Sequence, residues 1–287
     1  MAGVHFGPAY ESLAASLQAG GPGRLLVVTD FDQTLTTFGG SDGASGLQCH
    51  DMVLRLMDLD RRVGLRERMA PLIEWNDMPE EERMQICGGN REMRAAKSRW
   101  FFEAFAAVCC DFDLLEQVDE CLAQCNTQVR CGLAQTFEWL EACGVPLIVV
   151  SAGLIQLLKG VLVAGKAQLP SQTRIVANDL TDPRVTVTSR SKSTALGAIS
   201  DFDAIASGRD RVLLLGDKPA DCAVVDGLPA ECKVLKVCFK EPSELRRSEV
   251  DVLLEHFDVV LTGDADMSFV NNLLYRISGA PGAPVAE

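Results

Sequence analysis

The fold of this chain is decided by residues 25–36, which read LLVVTDFDQTLT. The first five of these residues are all apolar or β-branched, without the alternation of polar and apolar residues that marks a half-exposed strand. A buried parallel strand has this composition because helices cover both faces of its sheet. Asp30 and Asp32 follow directly. The sequence therefore predicts a central strand that delivers two carboxylates to one edge of a sheet.

Similar apolar runs recur along the chain, and helical patterns separate most of them. The runs are Pro146–Val150, Arg174–Val176, Val212–Leu215, Val234–Val237 and Val259–Thr262, and the helical patterns are Leu154–Val163, Ala195–Ile205 and Ser243–His256. This alternation predicts an α/β fold with a doubly wound, mostly parallel, Rossmann-like sheet. Ligands of such sheets bind beyond the carboxyl ends of the strands, so the residues after each run are candidates for a functional site.

More than a hundred residues separate the first apolar run from the second, and their patterns are helical. These patterns are His50–Arg62, Leu65–Trp75, Glu80–Gly88, Asn90–Cys110, Leu114–Cys131 and Leu133–Cys143. We therefore predict a core domain of residues 1–38 and 145–287, and an all-helical insert of residues 39–144 after the first strand. The Gly-, Ala- and Pro-rich segments 1–23 and 278–287 are expected to be loose tails, with one helix near Tyr10–Gln18.

Composition excludes several classes of function. The formal net charge of −13 gives no general attraction for a nucleic-acid polymer or an anionic membrane, so an anionic ligand needs a local site. The apolar stretch Val145–Gly165 contains Pro146 and Lys159, which favours a strand and a helix over a membrane span. Eleven cysteines without a C-x-x-C pair, and no secretory signal pattern, lead us to expect free thiols and a cytoplasmic location.

Carboxylates follow two of the predicted strands. Asp30 and Asp32 come after the first run, and Asp217 with Asp221 come after Val212–Leu215. Carboxylates that meet at one edge repel each other unless a cation lies between them. Mg²⁺ prefers hard oxygen ligands, so we predict a Mg²⁺ site formed by these four aspartates.

A metal-bound phosphate would meet a nucleophile and several donors there. Asp30 can attack phosphorus to form an aspartyl-phosphate, while Asp32 protonates the leaving alcohol and then accepts a proton from water. Lys192 can neutralise the transferring oxygens, and the Ser151 hydroxyl and the Ala152 N–H can donate to them. Each of these motifs is weak alone, and their order along the chain is what predicts a phosphomonoesterase.

The same residues resemble the haloacid dehalogenase superfamily of phosphotransferases, in which the D-x-D-x-T-L motif corresponds to residues 30–35. A narrower likeness is to the cytosolic type III pyrimidine 5′-nucleotidases. It is carried by Asp30–Thr36, Cys49-His50, Ile73-Glu74-Trp75, Gly144–Leu147, Ser151–Gly153, Asp217 to Gly227 and Phe257–Leu261.

This resemblance implies that the insert is a cap over the site and that Glu74 reads the nucleobase. The implied substrate is a small molecule, a nucleoside 5′-monophosphate such as CMP, UMP or 7-methyl-GMP. Lys218 stands where the family usually has serine. We expect its side chain to turn outward and pair with Asp221 at the rim, because a cation beside Mg²⁺ is costly.

Two alternatives stay open at this point. One is a phosphatase for another small phosphomonoester, such as a phosphoserine-like or sugar phosphate, which only the cap would distinguish. The other is a non-catalytic binding protein built on the same fold. The presence of Asp30, Asp32 and Asp217 argues against the second alternative, and Lys218 is the only feature in its favour.

Overall fold

A computed structural model of the chain describes residues 3–49, 51–52, 67–71, 74–75, 78–111, 115–182, 187, 191–241 and 246–279. Most of the predicted helix His50–Arg62, including His50 itself, lies outside the described residues. So do parts of the predicted helix Leu65–Trp75, of which residues 67–71 and 74–75 are helical, and the end of the chain from residue 280.

Seven strands of the described residues form a single sheet in the order β1-β7-β6-β5-β2-β3-β4. They are β1 (Gly3–Phe6), β2 (Leu25–Thr29), β3 (Leu147–Leu154), β4 (Thr173–Asn178), β5 (Arg211–Gly216), β6 (Lys233–Lys240) and β7 (Val259–Thr262). Only β1 runs antiparallel to its neighbour, and every other pair is parallel. The predicted mostly parallel α/β sheet is therefore confirmed, with β2 between β5 and β3.

Helices lie between most of the strands. They are α1 (Tyr10–Gly20), α2 (Glu80–Ile86), α3 (Arg91–Asp111), α4 (Val118–Ala123), α5 (Leu133–Cys143), α6 (Ile155–Ala164), α7 (Phe202–Ala206), α8 (Arg247–Leu254) and α9 (Ser268–Ile277). Short 3₁₀ helices span Pro22–Arg24, Lys192–Thr194, Leu196–Ala198 and Pro219–Gly227. Among the described residues, no helix combines the length and apolar composition needed to cross a membrane.

The sheet buries apolar residues on both of its faces. Val27 of β2 belongs to a hydrophobic cluster with Leu140 of α5 and Leu158 of α6. Its neighbour Val28 belongs to a second cluster with Leu253 of α8. Successive residues of a strand point to opposite faces, so a continuous apolar run is required when both faces are covered.

Two predicted helices are mostly not helical. Within Leu114–Cys131, α4 covers only Val118–Ala123. Beyond the helix, the Asn126 side chain accepts a hydrogen bond from Leu47 N at 3.1 Å and donates one to Ser45 O at 3.0 Å. Asparagine side chains that bond to the backbone in this way favour non-helical conformations, which the apolar spacing did not reveal.

The second such segment is Ala195–Ile205. It forms a 3₁₀ turn at Leu196–Ala198 and the short helix α7 instead of one continuous helix. Gly197 lies within the interrupted part, where glycine weakens a helix because it loses more backbone freedom than any other residue.

The prediction that residues 1–23 form a loose tail is wrong, although the helix predicted near Tyr10–Gln18 is confirmed as α1. Gly3–Phe6 pairs with β7, and the buried side chains of α1 include Leu17. The Tyr10 ring lies 4.4 Å from that of Phe6 and 6.1 Å from that of Phe269, between centroids. The strand was missed because its partner lies about 250 residues away in sequence and its four residues include glycine and histidine.

Two segments that enclose most of the predicted insert run side by side. Thr36 and Val129 form an antiparallel bridge. Thr37 N donates to Gln128 O, and Arg130 N donates to Leu35 O, each at 2.9 Å. Helices follow in the described residues up to β3, and the boundaries 39 and 144 of the insert stay predictions.

Candidate active site

Asp30 lies at the carboxyl end of β2, in the middle of the sheet. Its backbone N–H donates to Leu215 O at 3.0 Å, which extends the pairing with β5 by one residue. The chain then turns sharply around the Phe31 carbonyl, which accepts hydrogen bonds from the backbone N–H groups of the three residues at 34–36. Gln33 adopts a left-handed conformation with φ of 62° in this turn. The turn holds Asp30 and Asp32 in a fixed relation.

Lys192 joins two of the predicted aspartates. Its Nζ lies 2.7 Å from Asp30 Oδ1 and 2.7 Å from Asp221 Oδ1, and all three side chains are buried. Burial alone would lower the pKa of Lys192, but the two carboxylates outweigh it and raise that pKa. Burial raises the pKa of Asp30, against the opposing effect of Lys192. The ammonium is thus a fixed positive charge beside the candidate nucleophile.

Asp217 and Asp221 come from the end of β5 and the 3₁₀ helix after it. Asp221 Oδ2 accepts hydrogen bonds from the backbone N–H groups of Asp217 and Lys218, each at 2.9 Å. Asp217 itself is fully buried, and neither of its carboxylate oxygens accepts a hydrogen bond from a described residue. Burial raises the pKa of Asp217 to about 8, with Lys218 opposing the shift and Asp30 adding to it.

Three of the four predicted metal ligands come together. One carboxylate oxygen each from Asp30, Asp217 and Asp221 lies within 4.8 Å of the others. A buried carboxylate with no hydrogen bond is costly unless a cation compensates it, so this donor set fits a small divalent ion such as Mg²⁺. The carboxylate of Asp32 does not belong to this cluster.

Asp32 instead faces the segment that leads into the insert. Cys49 N donates to Asp32 Oδ1 at 3.1 Å, and Cys49 is fully buried. Burial, reinforced by Asp32, raises the pKa of the Cys49 thiol well above its ordinary value. A Cβ atom at Gly153 would lie 2.7 Å from Cβ of Cys49, so the absence of a side chain there permits this contact.

Ser151 and Ala152 lie at the end of β3, beside β2. Ser151 is buried, and its Oγ accepts a hydrogen bond from Gly153 N at 3.0 Å. Ala152 O accepts one from Asn178 Nδ2 at 2.8 Å. Sequence reasoning missed Asn178, although it follows the run Arg174–Val176 and the strand-end criterion could have found it.

Lys218 lies elsewhere than predicted. Its Nζ is 3.3 Å from Asp217 Oδ2, and its side chain is 50% exposed. It therefore pairs with Asp217 and not with Asp221. Of the polar groups of Lys218, only the backbone N–H donates to Asp221. The expectation was wrong because the Lys192 ammonium already occupies Asp221 Oδ1, whereas Asp217 has no other cationic partner among the described residues.

Glu74 belongs to the insert and is exposed. It lines a cavity of 510 Å³ together with Trp75, Met78, Lys97 and Trp100, among others. Lys97 Nζ lies 5.2 Å from the ring centroid of Trp75. No hydrogen bond or ion pair in the described part of the chain joins Glu74 to the aspartates at the sheet edge, and most of the other residues that line its cavity are apolar.

Comparison with known proteins matches this chain to a family model and to several related nucleotidases. The family model described as pyrimidine 5′-nucleotidase (UMPH-1) matches residues 34–278. The 7-methylguanosine phosphate-specific 5′-nucleotidase of Homo sapiens is 24% identical over 279 residues, which cover 93% of this chain and 89% of that protein. A Caenorhabditis elegans protein named as a cytosolic 5′-nucleotidase is 23% identical over 289 residues, covering 94% of this chain and 74% of its own length.

A solved structure shares the fold. The structure of cytosolic 5′-nucleotidase IIIB bound to cytidine superposes with a TM-score of 0.69 at 19% sequence identity. The superposition covers 96% of this chain and 93% of that one. The likeness therefore extends over both the sheet and the helical residues between β2 and β3.

Proposed function

This chain belongs to the pyrimidine 5′-nucleotidase (UMPH-1) family and is a phosphomonoester hydrolase; from that premise we propose that it cleaves nucleoside 5′-monophosphates into nucleoside and phosphate, with Mg²⁺ as cofactor. The observation that carries the proposal is the convergence of Asp30, Asp217 and Asp221 on one buried edge, with Lys192 2.7 Å from two of them. Such a site can hold an anion in a protein whose net charge is −13.

The proposed reaction has two steps. In the first, a carboxylate oxygen of Asp30 forms a bond to phosphorus while the bond from phosphorus to the ester oxygen breaks, and Asp32 gives its proton to that oxygen. In the second, Asp32 takes a proton from a water molecule whose oxygen attacks phosphorus, and the Asp30–phosphorus bond breaks. Lys192 fixes the orientation of Asp30 because it holds Oδ1.

The surrounding groups stabilise the phosphoryl oxygens. Asp30, Asp217 and Asp221 would hold Mg²⁺, with Asp32, outside their cluster, a further proposed ligand, and the bound ion would supply positive charge to the phosphoryl oxygens. Ser151 Oγ accepts a hydrogen bond from Gly153 N and still has its hydroxyl proton to donate. A phosphoryl oxygen is the proposed acceptor of that proton. The Ala152 N–H is a second proposed donor, and Asn178 holds the carbonyl of the same residue.

The cavity around Glu74 supports a nucleoside as the leaving group. Indole rings such as those of Trp75 and Trp100 offer flat apolar faces on which a base can stack. The Glu74 carboxylate can accept hydrogen bonds from the amino or N–H groups of a base edge. The family description and the names of the relatives support a pyrimidine or a 7-methylguanine base, and one relative's name supports a cytoplasmic location.

Phosphate release from a panel of substrates tests this function. CMP, UMP and 7-methyl-GMP should be hydrolysed in the presence of Mg²⁺, more efficiently than phosphoserine or ribose 5-phosphate, and EDTA should stop the reaction. Turnover of phosphoserine or the sugar phosphate with little activity on the nucleotides would contradict the proposed substrate class.

Acid quenching of a reaction with ³²P-labelled nucleotide tests the nucleophile. The wild-type chain should carry label in a hydroxylamine-labile form, as expected for an acyl phosphate, and Asp30→Asn should carry none. Asp30→Asn with near wild-type turnover would show that the covalent mechanism is wrong.

A further inference from the structure

Arg130 is a buried arginine outside all of the motifs that predict the site. Only 1% of the residue is exposed, and its guanidinium makes four hydrogen bonds. Nε donates to Thr34 O at 2.8 Å and Nη2 to Gln33 O at 2.7 Å. Nη1 donates to Asp264 Oδ1 at 2.8 Å and to Ala265 O at 2.6 Å. A single side chain thus joins the turn after β2 to the loop after β7.

Arg130 bonds to the carbonyl oxygens of Gln33 and Thr34, the two residues that come directly after Asp32 in sequence. Gln33 has the positive φ of 62° that a non-glycine residue adopts only when its surroundings enforce it. A planar guanidinium presents its donors in a fixed geometry, so it can fix both peptide groups at once. The ring of Phe239 lies 4.4 Å from Cζ of Arg130, which restricts the guanidinium further. The Arg130 guanidinium therefore determines the path of the backbone directly after Asp32.

Asp264 holds the other side of the same turn. Its Oδ1 accepts from Phe38 N and its Oδ2 from Gly39 N, each at 2.9 Å, in addition to the bond from Arg130. Asp264 itself has a φ of 49°, so the loop after β7 is also held in a rare conformation. Residues 33–34 within the turn, through Arg130, and residues 38–39 after it are thereby tied to one carboxylate near the opposite end of the sequence.

We propose that Arg130 and Asp264 form a positioning pair that orients Asp32 for proton transfer to the leaving group. This inference rests on the proposed function, in which Asp32 is the general acid. Neither residue needs to touch substrate, because their effect passes through the backbone of Gln33 and Thr34. A side chain displaced by even 1 Å from a productive geometry can cost on the order of 100-fold in rate.

A series of para-substituted phenyl phosphates separates positioning from a purely structural role. These substrates are similar in size but differ in the pKa of the leaving phenol, and a phenol of high pKa depends more on protonation. The value of kcat/KM reports the step in which the phenol leaves. The wild-type chain should show a shallow dependence on leaving-group pKa, and Asp32→Asn a steep one. Arg130→Lys retains the charge but not the paired donors of the guanidinium. Its kcat/KM should fall roughly 10- to 100-fold on phenyl phosphate and much less on p-nitrophenyl phosphate.

Two further variants complete the experiment. Asp264→Asn keeps a side chain of the same shape with one acceptor oxygen. It should make the dependence of kcat/KM on leaving-group pKa steeper, though less so than Arg130→Lys. Circular dichroism verifies that each variant is folded. Arg174→Lys is the matched control, because Arg174 pairs with Asp201 while its side chain is 40% exposed, and it should leave the dependence unchanged.

The outcomes separate this pair from the function on which it rests. An equal loss by Arg130→Lys and Asp264→Asn on every phenyl phosphate would show that the pair is only structural. If the wild-type dependence is already as steep as that of Asp32→Asn, the acid role of Asp32 and the pair are both overturned.

Discussion

Asp217 shows how a buried carboxylate can be prepared for a ligand. It accepts no hydrogen bond from a described residue, and the Lys218 ammonium is at 3.3 Å from one oxygen. A carboxylate in this state destabilises the folded chain unless it is protonated or a cation binds it. The stability of the protein should therefore depend on both pH and Mg²⁺ through this one residue.

Asp217→Asn should stabilise the metal-free protein by on the order of 1 kcal/mol at pH 8 and remove the stabilisation by Mg²⁺. Burial raises the pKa of Asp217 from an ordinary value of 3.8 to about 8, so the folded chain holds a proton that the unfolded chain releases between these values. The contribution of this group to stability is therefore largest at low pH and is lost as pH rises towards 8. Urea unfolding from pH 5 to pH 8 measures the effect, and a wild-type pH dependence identical to that of Asp217→Asn would contradict it.

Lys218→Ser should lower the Mg²⁺ concentration needed for half-maximal activity. The Lys218 ammonium lies at a carboxylate that we assign to the metal, so Mg²⁺ must displace it or bind next to a like charge. Titration of activity with Mg²⁺ measures the change. Lys159→Ser removes a charge from an exposed position on α6 and should have no effect. An unchanged Mg²⁺ requirement in Lys218→Ser would mean that the side chain turns away when the metal binds.

Several of the residues that sequence reasoning found share one property, which is their position at or near the carboxyl end of a strand. Asp30, Asp217 and Ser151 could be predicted because the ends of parallel strands converge whatever the rest of the fold does. Arg130 could not, because its importance comes from backbone carbonyls and from Asp264, 134 residues later in the chain. No local pattern marks an arginine that will be buried.

At the scale of elements, we assign the choice between substrates to the cavity that Glu74 lines, as part of the proposed function. Contacts to the phosphoryl group are the same for every phosphomonoester and therefore cannot discriminate. Among the described residues that line this cavity, Glu74 is the only one with a carboxylate. The preference for a base should depend on it.

Glu74→Ala should raise KM for the preferred nucleotide and reduce the differences among nucleotides. A buried donor left unpaired costs about 1–3 kcal/mol, and p-nitrophenyl phosphate has no base to lose such a contact. Comparison of kcat/KM for both kinds of substrate measures the effect, with Glu81→Ala on α2 as an exposed control. An equal loss on nucleotide and p-nitrophenyl phosphate would show that Glu74 is structural.

The strands were predicted more accurately than the connections between them. Val259–Thr262 forms β7 with the predicted bounds, because a short apolar run between polar segments leaves little choice. Ala195–Ile205 has apolar residues at helical spacing and still forms only a 3₁₀ turn and a short helix. The contacts of Lys192, directly before it, place the chain at the sheet edge, and tertiary contacts of this kind outweigh helix propensity.

At the scale of the whole molecule, the N-terminal segment completes the far edge of the sheet. Four steps in the sheet order separate β1 from β2, which at about 4.8 Å per strand is roughly 19 Å. The cluster of Phe6, Tyr10 and Phe269 holds this edge together. Stability and activity should therefore be separable by mutation there.

Tyr10→Ala should reduce the free energy of unfolding by about 3 kcal/mol and leave kcat/KM unchanged well below the unfolding temperature. Tyr10 is 6% exposed, so its removal leaves a cavity between α1 and the sheet edge. Phe6 is 51% exposed, and Phe6→Ala should cost clearly less. Urea denaturation and nucleotide hydrolysis measure the two quantities. A matching loss of activity in Tyr10→Ala would mean that this edge communicates with Asp30.

The bridge between Thr36 and Val129 places residues that enclose most of the predicted insert about 5 Å apart. A segment with neighbouring ends behaves as an exchangeable module, since one module can replace another of different length without moving the strands on either side. We therefore expect the segment between residues 36 and 129 to tolerate changes of length without displacing β2 or β3. The same property makes residues 36 and 129 natural junctions for building chimeric enzymes.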